Sequence, residues 1–239
     1  MGFLLDLYSV HCKVFAKDFL ALFYPSLCII CASNLLKHEE CICISCLHQT
    51  PKTDCFINSR NDVSERFWGR IQLENAAALF DFNKDGNAQK LIHQLKYEEG
   101  KNVGILLGKQ LAYAINESEC FNNIDIVIPV PLHPKKQKLR GYNQSDFIAK
   151  GIKEILDIKV NKKSLIRIEN TDSQTRKKRF SRWENMMNSF DLRSNKKLKG
   201  KHILLVDDVI TTGSTLEACA QKLQEVEGVK VSIATIAVA

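Results

Sequence analysis

The stretch from His202 to Thr215 joins an apolar run to two acids and a loop of small polar residues. It reads HILLVDDVITTGST, and its apolar part predicts a buried strand that ends near the acids. In α/β folds, ligands sit at the carboxyl ends of the strands. The N–H groups of a glycine-containing loop and the positive end of the following helix suit a phosphate monoester. The predicted phosphate-binding residues are Thr211, Thr212, Gly213, Ser214 and Thr215.

The two acids, Asp207 and Asp208, indicate a second part of the same ligand. A carboxylate is a poor neighbour for phosphate by charge, but it accepts hydrogen bonds well from vicinal hydroxyl groups. A diol next to a phosphate describes a ribose 5-phosphate. Each residue alone has a simpler explanation, because Asp, Ser and Thr are also preferred at strand ends and helix caps. All of them together favour the ligand site.

Two Cys-x-x-Cys pairs separated by 11 residues predict a metal site near the N-terminus. Four thiolates suit a tetrahedral Zn²⁺, and a site closed in this way has a structural role. The predicted ligands are Cys28, Cys31, Cys43 and Cys46. Cys41 departs from the simple pattern, either as a substitute ligand or as a free thiol, and His38 and His48 are nearby alternatives.

Strands and helices alternate after residue 75. Apolar β-branched runs predict strands at 76–82, 124–128, 203–206 and 229–238, and helices are expected at 88–97, 103–115, 145–156 and 215–223. This alternation predicts an α/β fold with a parallel sheet flanked by helices. The polar residues 49–75 are the best candidate linker, and 160–191 predicts no regular structure.

Composition and charge limit the function classes. The formal charge of +7 is concentrated between Lys159 and Lys201, which hold 14 Lys or Arg against four acids. This asymmetry indicates an anionic partner, phosphates or nucleic acid, with a solvated basic loop as the alternative. No G-x-G-x-x-G is present, and the pair Gly200-Lys201 is followed by His202, which excludes a Walker loop.

The N-terminal residues 3–23 have the spacing of an amphipathic helix. A helix that packs on protein is the first expectation, and a helix on a membrane surface is the alternative. Charged residues interrupt this segment, so it contains neither a membrane span nor a convincing cleavage site. We therefore expect a soluble, cytoplasmic protein.

Residues 203–215 resemble the 13-residue signature of the type I phosphoribosyltransferases. The segments LIHQLKYEEG, IVIPVPLHPKKQKLRGYNQS and SQTRKKRFSRWENMMNSF narrow the resemblance to the ComF-type branch of competence-associated proteins. The resemblance implies an N-terminal helix and four-cysteine zinc-finger domain over 1–60 and a phosphoribosyltransferase-like domain over 75–239. It also assigns the ribose hydroxyls of phosphoribosyl diphosphate to Asp207 and Asp208, and the 5-phosphate to 211–215.

Two basic segments would then hold the diphosphate, because the transition state builds negative charge on this leaving group. The candidates are Lys135, Lys136, Arg140, Arg176 and Arg182. Residues 173–185 fit a mobile hood that excludes water, which the resemblance favours, but their aromatic residues among basic ones also fit single-stranded DNA. Mg²⁺ is implied, since a diphosphate at a carboxylate site usually arrives with a hard cation.

Three functional hypotheses follow. The first is Mg²⁺-dependent binding of phosphoribosyl diphosphate, with transfer of ribosyl phosphate to a nitrogen acceptor, in a protein associated with DNA uptake and natural competence. No residue is predicted as its catalytic base. The alternative is a non-catalytic competence factor that binds single-stranded DNA or a DNA-uptake helicase through the basic loop 176–182. The third is a ligand-sensing regulator without turnover.

Overall fold

The computed structural model describes residues 24–84, 86–97, 100–168 and 189–239. The chain divides into two compact units between Gln49 and Thr50. The helix expected at 3–23 and the hood expected at 173–185 lie outside the described residues. Within the described ranges, no helix combines the length and the apolar character needed to cross a membrane.

The smaller unit carries the cysteine pairs and one short helix, α1 (Ile44–Gln49). The elements of the larger unit are α2 (Asp62–Glu65), β1 (Ala76–Asp81), α3 (Asn87–Gln94), α4 (Gly100–Glu117), β2 (Ile126–Pro129), α5 (Pro134–Arg140), α6 (Gln144–Leu156), β3 (Lys159–Val160), β4 (Leu165–Arg167), β5 (Phe190–Leu192), β6 (His202–Ile210), α7 (Ser214–Gln224) and β7 (Lys230–Val238).

Five parallel strands form the central sheet in the order β1-β7-β6-β2-β3. The central strands are buried over 203–206 and 231–237, as expected of apolar runs covered on both faces. Helices α4, α6 and α7 pack against the sheet. The predicted parallel sheet with flanking helices is confirmed.

Helices α4 and α6 approach each other most closely at Gly108 and Gly151. A Cβ atom on Gly108 would collide with the carbonyl oxygen of Ile148, and one on Gly151 would collide with that of Ile105. Only glycine leaves room for such a backbone contact. The contact holds α6 beside the sheet, with its N-terminal end near the carboxyl ends of the strands.

Strand β6 is longer than its apolar run predicts. It continues to Ile210, because pairing with β7 extends from Asp207↔Thr235 to Ile210↔Val238. The acids interrupt the apolar run but not the ladder. Asp207 and Asp208 therefore lie within the strand, not after it.

The basic segment 134–140 is the helix α5, which the sequence analysis did not predict. The His133 ring caps it by accepting from the Lys135 N–H at 3.2 Å, and Pro134 stands at the first helical position. Gly141 ends it in the left-handed conformation. The sequence HPKKQKLRG contains these capping residues, but the many charged residues between them leave no apolar periodicity that would predict a helix.

The candidate linker at 49–75 instead packs into the larger unit beyond Gln49. Phe56, Val63 and Phe67 are buried, and Asn61 both caps α2 and donates to the carbonyl of Ala76 at 3.1 Å. The apolar residues of this stretch stand singly among polar ones, which hides them from a periodicity search. At the two ends of 160–191, strands β4 and β5 form an antiparallel pair.

Candidate functional site

The loop between β6 and α7 surrounds a small cavity of about 60 Å³, lined by Asp207 and by residues 209–216. Gly213 takes φ = 78° and leads directly into α7. The hydroxyl oxygens of Thr212 and Ser214 lie 3.1 Å apart. The five residues predicted to bind phosphate therefore line one cavity, at the positive end of a helix.

The two acids are held by short hydrogen bonds. Asp207 Oδ1 accepts from the Ser145 hydroxyl at 2.9 Å and from the Asp208 N–H at 2.9 Å. Asp208 Oδ1 accepts from the Val209 N–H at 2.8 Å. These donors fix the direction of both carboxyl groups, and Asp207 lies against the loop cavity.

Both carboxyl groups are poorly solvated. Burial, followed by repulsion from the Asp208 carboxylate, raises the pKa of Asp207 to about 8, although the Asp208 N–H, the Ser145 hydroxyl and Arg167 oppose the shift. Burial also raises the pKa of Asp208. Adjacent acids in such an environment are suited to a ligand that brings hydroxyl donors or a cation.

Basic side chains from three other parts of the fold lower the pKa values of these acids and so oppose the effect of burial. Arg140, at the end of α5, and Lys96, which follows α3, lower the pKa of Asp208. Arg167, at the end of β4, lowers that of Asp207. The Tyr142 hydroxyl fixes the turn that carries Lys96, because it is shared between the carbonyls of Leu95, at 2.8 Å, and Tyr97.

The diphosphate candidates are placed unequally. Arg140 lowers the pKa of Asp208, whereas Lys135 and Lys136 are exposed on α5. Arg176 and Arg182 lie outside the described residues. Lys96 and Arg167 were missed by the sequence reasoning, although Lys96 lies in the segment LIHQLKYEEG that carries part of the resemblance. Nothing local in the sequence connects either side chain to the acids, since only the tertiary fold brings them together.

In the smaller unit, the sulfur atoms of Cys28, Cys31, Cys43 and Cys46 lie within 4.8 Å of one another. N–H groups donate to two of them, Cys43 to Cys28 Sγ and Cys46 to Cys43 Sγ, each at 3.4 Å. The Ser33 hydroxyl and N–H lower the pKa of Cys31 to about 6. The four donors fit a tetrahedral metal ion, which binds the thiolate form. Cys41 is not a member of this group.

Residues 143–238 match the family model described as the phosphoribosyl transferase domain. This range contains Ser145, both acids, the loop 211–215 and the strands β3 to β7. The parallel sheet, with an acid pair and a small polar loop on one of its strands, therefore agrees with a phosphoribosyltransferase-like fold of the larger unit.

Two curated relatives identify the group of proteins more closely. Competence protein F of Haemophilus influenzae is 31% identical over 139 residues, which are 56% of this chain and 61% of that protein. DNA utilization protein YhgH of Escherichia coli O6:H1 is 31% identical over 136 residues, 56% of this chain and 59% of that protein. The chain thus spans about three fifths of these relatives. The chain is similar to competence protein F, and the resemblance to ComF-type proteins is confirmed.

A solved structure is similar at a greater distance. The glutamine phosphoribosylpyrophosphate amidotransferase of B. subtilis, complexed with ADP and GMP, is 23% identical, with a TM-score of 0.41. The match covers 61% of this chain and 30% of that chain.

Proposed function

We propose that the larger unit binds phosphoribosyl diphosphate at Asp207, Asp208 and the loop 211–215. The observation that carries the proposal is that Asp207 lines the same cavity as all five loop residues. Carboxylate oxygens that can accept hydrogen bonds from ribose hydroxyls therefore lie beside the loop that would bind the 5-phosphate. The hydroxyl groups of such a ligand would also stabilise the two poorly solvated carboxyl groups by donating hydrogen bonds to them.

The diphosphate end has its partners among the basic side chains near Asp208. Arg140 and Lys96 lower the pKa of this acid from two different parts of the fold. Arg176 and Arg182 remain candidates outside the described residues. Mg²⁺ fits the same place, because Asp207 and Asp208 offer the hard oxygen ligands that it prefers. When bound, it would neutralise charge on the diphosphate oxygens.

We propose that the same site transfers the ribosyl phosphate to a nitrogen acceptor. The bond between C1′ and the diphosphate oxygen breaks, and the diphosphate leaves with the electron pair. The acceptor nitrogen forms the new bond to C1′ and gives up a proton. Arg140 and Lys96 would stabilise the charge that develops on the leaving group.

The decisive experiment is a calorimetric titration of phosphoribosyl diphosphate with Mg²⁺. We expect saturable binding to the wild-type protein and none to the Asp207→Asn/Asp208→Asn double variant. Asp157→Asn is a matched control, because this exposed residue ends α6 in the left-handed conformation that Asn tolerates well. A folded wild-type protein that shows no binding would exclude the proposal.

A second function is supported by the names of the relatives, competence protein F and DNA utilization protein, and by the basic stretch between Lys159 and Lys201. We propose that the chain takes part in DNA uptake, with 176–182 binding single-stranded DNA or a helicase. We also propose a cytoplasmic location, where thiols stay reduced and available for metal.

DNA binding through this loop can be tested by charge removal. We expect affinity for single-stranded DNA to fall steeply with salt, and the slope to decrease when Lys177, Lys178 and Arg179 are replaced by Gln. Replacing Lys196, Lys197 and Lys199 removes the same charge from exposed positions of the same basic stretch. Equal losses in the two triple variants would indicate a general charge effect and reject a specific role for the loop.

A further inference from the structure

Two arginines of the segment 66–70, which follows α2, bind the carbonyl groups of the phosphate loop. Arg66 Nη1 donates to the carbonyl of Thr211 and, at 2.8 Å, to that of Ala239. Arg70 Nη1 donates to the carbonyl of Thr212 at 3.3 Å. Both consecutive loop peptides are thus held from a part of the chain more than 140 residues away.

These bonds determine where the loop N–H groups point. In a trans peptide the carbonyl and the N–H point in opposite directions. With the carbonyls of Thr211 and Thr212 turned toward the arginines, the N–H groups of Thr212 and Gly213 face away from them. Neither arginine lines the loop cavity. The guanidinium groups therefore orient anion-binding N–H groups without themselves occupying the cavity.

The same segment supports the tightest point of the loop. Phe67, between the two arginines, is buried, and a Cβ atom on Gly213 would lie 3.0 Å from its ring. The ring thus fills the space behind Gly213. Three residues of one short segment contact three consecutive loop residues.

Arg70 also compensates a charge that opposes anion binding. Its Nη2 pairs with the Glu217 carboxylate, which is 2% exposed and lies in the first turn of α7. A buried negative charge at a helix N-terminus weakens the attraction of that end for phosphate. The guanidinium of Arg70 offsets this charge.

We propose that Arg66 and Arg70 are positioning residues for the phosphate end of the ligand. They hold the loop in the conformation that presents its N–H groups, and Arg70 neutralises Glu217. The inference rests on the proposed function, since it takes the ligand of this loop to be the 5-phosphate of phosphoribosyl diphosphate.

The first test uses Arg66→Lys and Arg70→Lys, which keep the charge but lose the planar fork of donors. Two quantities are measured: the affinity for phosphoribosyl diphosphate with Mg²⁺, and amide hydrogen exchange at 211–215 without ligand. Loss of the hydrogen bond that fixes one loop carbonyl should weaken binding of phosphoribosyl diphosphate about tenfold and speed amide hydrogen exchange in the loop. Arg60→Lys is the control, because Arg60 stacks over Trp68 and pairs with Glu65 instead.

The second test separates positioning from folding. The double variant Arg70→Met/Glu217→Met replaces the ion pair between the partly exposed Arg70 and the buried Glu217 by apolar side chains, so that no buried charge is left without a partner. We expect its unfolding midpoint to approach that of the wild type while the affinity stays about tenfold lower, because the bond to Thr212 is still missing. Recovery of affinity together with stability would reduce Arg70 to a structural residue and overturn the proposal.

The outcomes distinguish the inference from the function on which it rests. If the wild type binds and the lysine variants bind equally well, the inference is wrong and the function stands. If the wild type does not bind, the function is wrong and the inference falls with it. If the wild type binds and the lysine variants bind more weakly, faster exchange confined to 211–215 would support the inference, and unchanged exchange would overturn it.

Discussion

The hydroxyl of Ser145 donates to Oδ1 of Asp207 at 2.9 Å, across 62 residues of sequence. Ser145 lies in the first turn of α6, directly after the basic segment that ends with Arg140 and Gly141. Asp207 lies on β6, beside the phosphate loop. One hydrogen bond therefore connects the proposed diphosphate side of the site to its ribose side.

Removing this hydroxyl should alter the site more than the fold. In Ser145→Ala, Asp207 loses a donor that lowers its pKa, so the pKa should rise further above about 8. Stability should fall by only about 1 kcal/mol, the net value of one hydrogen bond. Ser145→Thr keeps the hydroxyl and serves as the control. Carboxyl-carbon NMR titration measures the pKa, and a Ser145→Ala spectrum that titrates like the wild type would contradict the assignment.

The pKa of Asp207 also predicts opposite effects of pH on stability and on ligand binding. Its pKa is raised on folding from 3.8 to about 8, so the folded state binds more protons between these values. The stabilising contribution is therefore complete below about pH 4 and is lost as pH rises through about 8. Affinity for phosphoribosyl diphosphate should rise over the same range, because the ionised carboxylate accepts ribose hydroxyl bonds better.

Denaturant unfolding and calorimetry at pH 6 and pH 8.5 would test both trends. Burial and the Asp208 carboxylate raise this pKa, whereas the Asp208 N–H, the Ser145 hydroxyl and Arg167 lower it. Asp207→Asn removes the titrating group and should flatten both dependences, whereas Asp157→Asn should leave them intact. A wild-type protein whose stability increases across this interval would show that another group dominates.

The sequence predicted the parts of the site that are continuous in the chain. Asp207, Asp208 and the loop 211–215 stand in one strand-loop-helix segment, so local pattern sufficed to name them, and Asp207 and the loop residues line a common cavity. The buried strands were equally readable, because parallel strands in a covered sheet are unbroken apolar runs.

The residues that sequence reasoning missed act across long separations. Lys96, Arg167, Arg66 and Arg70 stand in other segments of the chain, and nothing local in those segments connects them to the acids or to the loop. Their placement depends on the sheet order, which sets the β6 acids beside β2 and its following helix. Side-chain contacts of this kind follow from tertiary packing, and a single sequence encodes them only through the whole fold.

The four-cysteine group predicts metal-dependent folding of the smaller unit. We propose that it holds Zn²⁺, and we expect one zinc per chain in the purified protein. Cys28→Ser should lose the metal and unfold residues 24–49, because binding free energy of a structural zinc is folding free energy, about 10–16 kcal/mol in zinc-finger peptides. Cys41→Ser is the matched control, since Cys41 lies outside the group of four. Metal content and circular dichroism report the result, and a zinc-loaded Cys28→Ser protein would refute the site.

The left-handed backbone at Gly213 gives a prediction with a close internal control. Gly213→Ala places a side chain at φ = 78° and 3.0 Å from the Phe67 ring, so it combines backbone strain with a steric conflict. Gly200→Ala imposes similar strain at φ = 67°, where nothing lies within 4 Å. The strain alone should cost about 1–2 kcal/mol in each variant. We expect Gly213→Ala to be the less stable in thermal unfolding and to lose affinity for phosphoribosyl diphosphate, because displacement of the loop misdirects its N–H groups. Gly200→Ala should bind like the wild type, and equal affinities in the two variants would mean that the loop conformation does not control phosphate binding.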